Sequence, residues 1–253
     1  MPGTSAGAEP GCDIRRVVSL VPSLTEAVAL SLPGALIGAT DWCSHPADLD
    51  VVRIGGTKNP DVDSIVRLAP DLVLANEEEN REPDLTALRA AGIEVLVTEV
   101  RDVPGAFSEL QRVLYACGAQ TRPRWLEEAE RAWAELVVPA RRTTAVVPIW
   151  RRPWMVLGRD TFAGDVLARL GVDNVYAHHE ERYPRVPLPE LEAAAPELVI
   201  LPDEPYRFTA ADGPEAFEGV PCALVDGRLL TWYGPSLAQA PRLLGEALRA
   251  ARR

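Results

Sequence analysis

Leu68-Ala69-Pro70-Asp71-Leu72-Val73-Leu74 and Ala194-Ala195-Pro196-Glu197-Leu198-Val199-Ile200 are one phrase written twice. In each copy a helix end meets a proline, which cannot continue the helix. An acid follows, then three apolar residues of the kind a buried strand carries. A second pair repeats in the same order: Ser23-Leu24-Thr25-Glu26-Ala27-Val28 and Thr161-Phe162-Ala163-Gly164-Asp165-Val166 each place an acid early in a helix that follows a strand. One short echo means little, but two in order predict two lobes of similar build within one chain.

Working outward from the first copy, Arg16–Leu20 reads as a strand ended by Pro22. Ser23 with Glu26 reads as a capping box opening a helix over Leu24–Leu30. Leu36–Thr40 is the next strand. Asn59-Pro60-Asp61 caps a helix over Val62–Leu68, and Asp71–Ala75 is a buried strand. A helix over Asp84–Ala91, a strand over Ile93–Thr98 and a helix over Pro104–Ala116 complete an α/β lobe over residues 14–118. Leu126, Ala129, Trp133 and Val137 recur at helical spacing, so Thr121–Val138 reads as a long helix within a connecting segment, 119–141. At ~1.5 Å per residue it would span roughly 25 Å. Residues 142–253 repeat the α/β alternation, with a closing helix over Pro235–Arg249. Residues 1–13, small, polar and rich in Pro and Gly, read as a disordered tail. The expected class is therefore α/β: two Rossmann-like lobes with parallel sheets bridged by a single long helix.

Charge narrows the function. The 253 residues carry 37 acids against 26 bases, a net charge of −11, and nucleic-acid binders need a basic face. Lys58 is the only lysine among those bases. Cys12, Cys43, Cys117 and Cys222 lie far apart with no C-x-x-C pair, which reads as free thiols in a reducing compartment. The first residues lack the basic start and apolar run of a leader, and no stretch reaches the ~18 apolar residues of a membrane span. The expectation is a monomer that is cytoplasmic as written, or extracytoplasmic if the N-terminus is incomplete.

Thr40-Asp41-Trp42-Cys43-Ser44-His45-Pro46 concentrates reactive side chains. On an extended segment Asp41, Cys43 and His45 would share one face, as three metal ligands could. Against that, no H-E-x-x-H or C-x-x-C accompanies them. Cys43 and His45 are too close in sequence to indicate a catalytic pair, and no G-x-S-x-G or phosphate-binding glycine loop is present. A third reading is a ligand wall. Trp42, Trp150, Trp154, Tyr183, Trp232 and Tyr233 fall near strand ends or in loops, and open α/β sheets bind ligands beyond the carboxyl ends of their strands.

V-V-S-L-V-P-S-L-T-E-A-V, G-A-T-D-W-C-S-H-P, R-I-G-G-T-K-N-P-D-V-D-S-I-V-R-L-A-P-D-L-V-L-A and L-G-R-D-T-F-A-G-D-V-L-A-R-L-G-V-D-N-V-Y together resemble the class III periplasmic binding proteins, over roughly residues 14–250. These are helical-backbone receptors for metal chelates, and the vitamin B12-binding branch is the most similar. The resemblance implies a non-enzymatic substrate-binding protein of an ABC importer, with a corrinoid, haem or ferric siderophore held between its lobes and no covalent cofactor. A cytoplasmic metal- or corrinoid-handling protein, or an enzyme, on the same scaffold is the alternative. By position the resemblance makes Trp42, Lys58, Asn76, Trp150, Tyr183, Trp232 and Tyr233 ligand contacts. It makes Glu26 and Asp165 the acids that dock an ABC permease. Lys58 and Asn76 stand where the B12 binders carry tryptophans, and with Glu77-Glu78-Glu79 they imply either a more polar first wall or a solvated loop.

Overall fold

A computed structural model describes residues 15–252, so the tail expected over residues 1–13 lies outside the described residues. The chain divides into two compact units. Unit 1 comprises the residues up to Thr98 together with Gln111–Arg122; unit 2 comprises Glu99–Leu110 together with Pro123 onward.

Unit 1 contains β1 (Val17–Ser19), α1 (Pro22–Ser31), β2 (Leu36–Ala39), β3 (Val52–Arg53), the hairpin β4 (Gly55–Gly56) and β5 (Asn59–Pro60), α2 (Val62–Leu68), β6 (Leu72–Asn76), α3 (Glu82–Ala90) and β7 (Glu94–Thr98). Its sheet runs β3-β2-β1-β6-β7, and every pairing is parallel. Beyond β7 come α4 (Val103–Ala116) and α5 (Arg124–Ala134). Unit 2 then runs through β8 (Thr143–Val146), β9 (Pro148–Trp150), β10 (Met155–Val156), α6 (Phe162–Arg169), β11 (Val172–Asn174), α7 (Leu188–Ala193), β12 (Leu198–Pro202), β13 (Cys222–Val225), α8 (Gly227–Thr231) and α9 (Ala240–Ala250). Its main sheet is β11-β8-β12-β13, again all parallel.

The two sheets share a plan. The first strand of each, β1 or β8, lies between the strand that follows its helix and the strand that opens with the repeated phrase. The match extends to single bonds. In unit 1 the Asp71 backbone N–H donates to Arg16 O (2.9 Å), while Asp71 Oδ2 accepts the Arg16 N–H (2.8 Å). In unit 2 the Glu197 N–H donates to Thr144 O (3.1 Å), and Glu197 Oε2 accepts the Thr144 N–H (3.0 Å). The acid after each proline therefore locks the central strand pair in register. The Thr144 N–H and the Arg141 guanidinium hold the Glu197 carboxyl below the usual carboxylate range.

The turn before each acid is also the same. Ala69 and Ala195 have φ of 44° and 45°, and their N–H groups donate to the carbonyls three residues back. An L-residue pays roughly 1 kcal/mol for this left-handed conformation, and glycine does not. Ala69→Gly and Ala195→Gly are each expected to stabilise the protein, by up to ~1 kcal/mol less the extra unfolded-chain entropy of glycine. Urea midpoints of the two variants check this; a lower midpoint in both would show that the methyl groups matter more than the backbone angle.

Three expectations change. The helix after β1 starts at Pro22 with Val21 as its N-cap and no side-chain cap, so Ser23 and Glu26 form no capping box; both are buried inside the first two turns. A proline is well placed at the first helical position because its missing N–H would have no partner there. The helix expected over Thr121–Val138 is α5, 11 residues long and wholly in unit 2, whereas the unit boundary falls inside α4. Trp133 anchors its last turn, donating from Nε1 to Leu237 O at 3.0 Å, and Val137 beyond it is 86% exposed. The closing helix begins at Ala240, because Pro235–Ala238 forms a 3-10 turn. Among the described residues no helix is long and apolar enough to cross a membrane.

Candidate functional site

In both sheets the chain leaves the first strand to one side and returns on the other, the arrangement whose carboxyl-end crevice receives ligands in open α/β sheets.

In unit 1 the rim is made by the loop after β2, the β4–β5 hairpin and the loop after β6. Asp41 N–H donates to Gly55 O (2.9 Å), tying loop to hairpin. Gly55 has φ of +82°, a conformation that favours glycine. A Cβ on Gly56 would lie 3.6 Å from Trp42 Nε1, so the indole sits beside the hairpin backbone. Trp42 is 68% exposed, an unusual position for a residue of its size. Lys58, at the hairpin tip, donates from Nζ to Glu78 O.

Thr40–His45 is a turn rather than an extended strand: Cys43 N–H donates to Thr40 O (3.1 Å) and Ser44 N–H to Trp42 O (2.9 Å). That breaks the alternation expected of Asp41, Cys43 and His45. Asp41 is exposed and Cys43 fully buried, while His45 Nδ1 lies 3.1 Å from Ser44 Oγ. Cys43 Sγ lies 2.9 Å from Thr25 Oγ1 and 3.2 Å from Thr40 Oγ1. Thr25 has one hydroxyl proton, directed at Val21 O (3.0 Å), so its oxygen is left to accept from the thiol. Burial raises the Cys43 pKa and keeps that proton in place. Among the described residues no group of three His, Cys, Asp or Glu side chains is arranged to hold a metal ion. The turn thus leaves the three metal candidates in different settings, one exposed, one buried and one part-exposed.

Asn76 is also reassigned. It is 4% exposed and its side chain is fully engaged: Nδ2 donates to Thr98 O (3.0 Å) and Oδ1 accepts from Glu78 N–H (2.9 Å). Asn80 donates to Thr57 O (3.0 Å), so the two asparagines shape the 77–80 loop against the hairpin. In that loop desolvation pushes the half-buried Glu79 carboxyl up to about 7, although Lys58 draws it down. A carboxyl raised in the folded state favours folding below its unfolded value near 4.5, and that advantage is lost as pH rises through about 7. Glu79→Gln is therefore expected to gain stability over the parent between pH 5 and pH 8, by on the order of 2 kcal/mol. Denaturant unfolding of both proteins at the two pH values measures it; parallel pH profiles would refute the burial of that charge.

In unit 2 the rim is the β9–β10 hairpin with the loops after β11, β12 and β13. Trp150 is 42% exposed and meets Tyr206 edge-on, with ring centroids 5.6 Å apart. Tyr206 donates its hydroxyl to Asp212 Oδ2 (2.6 Å). Arg151 pairs with Asp212 and with Glu215 (2.5 Å), and its guanidinium lies 5.2 Å from the Trp154 ring centre. Trp154 itself stacks on Phe208 and packs into the core. Tyr183 is half-buried in a segment that runs against the end of β10: Gly158 N–H donates to Arg182 O (2.8 Å), and a Cβ at Gly158 would sit 2.2 Å from Glu181 O.

Trp232 and Tyr233 do not stand at an open wall. Trp232 is 8% exposed and donates from Nε1 to Glu204 Oε2 (2.9 Å). Tyr233 is 6% exposed and packs edge-on against Phe162. The two carboxylates expected to dock a permease differ in exposure, one buried and the other part-exposed. Glu26 is 4% exposed. Asp165 Oδ2 accepts the Val103 N–H (2.8 Å), capping α4, and pairs with Arg169 (2.7 Å). Asp165 also lines a cavity of about 610 Å³ beside Asp160, Thr161, Asp173 and His178, which contains none of the exposed aromatics. Sequence reasoning missed Tyr206 and Arg151. Their signal was the spacing of Arg151 and Arg152 against Trp150 and Trp154, which gains meaning only when the 203–215 loop is folded onto the hairpin.

A profile of the periplasmic binding proteins matches residues 17–218. The chain belongs to that family. The vitamin B12-binding protein of Photorhabdus laumondii is 24% identical over 192 residues, 74% of this chain and 70% of the relative. The fold of this family member is that of a periplasmic haem-binding protein from Roseiflexus sp. RS-1, in its apo form (TM-score 0.78, 20% identity, 95% of this chain and 100% of that one). It is equally that of a periplasmic vitamin B12-binding protein of Vibrio cholerae (TM-score 0.72, 17% identity, 95% and 99%). These likenesses bear out the two-lobed α/β class. They correct the cytoplasmic expectation, because the family and these neighbours are periplasmic. The thiols gave that expectation false support. Cys43 and Cys117 are buried free thiols, the latter pushed up to about 12 by desolvation, and buried thiols are inert whatever the compartment.

Proposed function

We propose that this family member is an extracytoplasmic substrate-binding protein that takes a flat metal chelate of the corrinoid or haem class and hands it to an ABC permease, without catalysis. The observation that carries the reading is Trp42: a large indole, mostly exposed, held beside a hairpin glycine at the carboxyl end of a parallel sheet. Exposed aromatic faces suit a large planar ligand. Trp150 with Tyr206 offers an equivalent surface on unit 2, and Lys58 places a cation beside Trp42's hairpin for a ligand with an anionic edge. The names of the related proteins, which bind vitamin B12 or haem, support the same class. Glu26 is buried and Asp165 is bound to the Val103 N–H and to Arg169, so the permease contact is assigned to neither.

Absorbance titration with haemin, cyanocobalamin and a ferric siderophore tests the reading, with tryptophan emission followed in parallel. Saturable binding of haemin or cyanocobalamin, with quenching of tryptophan, is expected. Binding of the siderophore alone, or of none of the three, would remove the proposal.

A further inference from the structure

The loop carrying Trp42 leaves β2 at Ala39 and returns to β3, whose Arg53 pairs with Ala39 in the ladder. Arg53 then reaches back over the loop it closes. Its Nη1 donates to Thr40 O and to Cys43 O, both at 2.9 Å, and Nη2 stands 3.5 Å from Leu49 O. Thr40 and Cys43 flank the turn that displays Trp42, and the Cys43 thiol is fastened inward to Thr25 and Thr40. The indole itself is mostly exposed and lies beside the hairpin backbone at Gly56, so where it stands is set by how its own turn is held against that hairpin.

We infer that Arg53 is a positioning residue: it clamps the carbonyls on both sides of Trp42 and so fixes the indole in its ligand-ready orientation. The inference rests on the reading of Trp42 as a ligand contact, and it adds the element that makes that contact rigid. A planar guanidinium can serve two carbonyls with separate N–H groups of one nitrogen, which an ammonium on a flexible stem reproduces poorly. Preorganisation of this kind raises affinity because less freedom is lost on binding.

The first test needs no ligand. The Trp42 emission is taken as the difference between the parent and Trp42→Phe, and its time-resolved anisotropy reports nanosecond motion of the indole. Arg53→Gln is expected to raise the amplitude of fast depolarisation about twofold, and Arg53→Lys to give an intermediate value. Arg53→Lys serves alone if Arg53→Gln does not fold. An unchanged decay in a folded variant overturns the inference. The second test uses haemin and cyanocobalamin as probes. Arg53→Gln is expected to weaken binding roughly fivefold in the parent but less than twofold in Trp42→Ala, since coupled residues do not add. Equal losses in both backgrounds overturn the inference. If Trp42→Ala alone leaves affinity unchanged, the reading of Trp42 as a ligand contact fails, and the anisotropy still decides whether Arg53 orders the indole.

Discussion

Trp42→Ala is expected to weaken binding of the cognate chelate roughly 30-fold while leaving stability within ~0.5 kcal/mol of the parent. The affinity figure is that of an aromatic anchor worth about 2 kcal/mol, converted at about 1.4 kcal/mol per factor of ten. The split between binding and stability is what the position dictates. The indole is 68% exposed, so little apolar surface is lost from the fold when it is removed. The backbone around it keeps its own support from Gly55 O, Thr40 O and Arg53. Equilibrium titration with absorbance detection, beside urea unfolding, separates the two effects. An affinity change below twofold would show that the planar ligand does not rest on this residue.

Leu74→Ala and Ile200→Ala are expected to cost about 3 kcal/mol each, the largest stability losses predicted for single changes here. Both side chains are fully buried and occupy the same place in the repeated phrase, three residues after Asp71 and after Glu197. Leu74 stands between Ser19 and Leu96 in the five-stranded sheet, and Ile200 pairs with Ala223 in the four-stranded one. Truncation at either site leaves a cavity that parallel strands, held by ladders on both sides, cannot close. Denaturant unfolding measures both. A cost below about 1 kcal/mol at one site alone would mean that the two units, alike in hydrogen bonding, differ in how tightly their cores are packed.

How much could be read beforehand depended on whether the signal was local. Pro-acid-apolar is a local signal: proline ends the helix, the acid meets the neighbouring strand, and the apolar run is buried whichever strand lies beside it. Asp61 is another, since an N-cap needs only its own next residues; its side chain accepts the Ser64 N–H at 2.9 Å, as expected. The Ser23–Glu26 capping box failed because Pro22 had already started the helix. The strands β3, β4, β5 and β11 were missed because they are short and carry no apolar run, being Val-Arg, Gly-Gly, Asn-Pro and Val-Asp-Asn.

The site was less legible than the fold. Of the residues expected at the ligand wall, Trp42, Lys58 and Trp150 are exposed and Tyr183 is half-buried, while Asn76, Trp232 and Tyr233 are enclosed and hydrogen-bonded or ring-packed. An aromatic residue after a strand has the same sequence signature whether it turns outward or inward. The amino-acid sequence by itself determined two α/β repeats, the helix stops between their strands, and the carboxyl-end loops on which a ligand site must fall. Those features follow from backbone conformational preference and burial period, which act over a few residues. Tertiary structure alone decided that Cys43 turns in while Trp42 turns out, that Glu26 is buried while Asp165 caps α4, and that Arg53 reaches the loop it closes. Those outcomes depend on which distant carbonyls and hydroxyls a side chain meets, and that is set only when the strands pair.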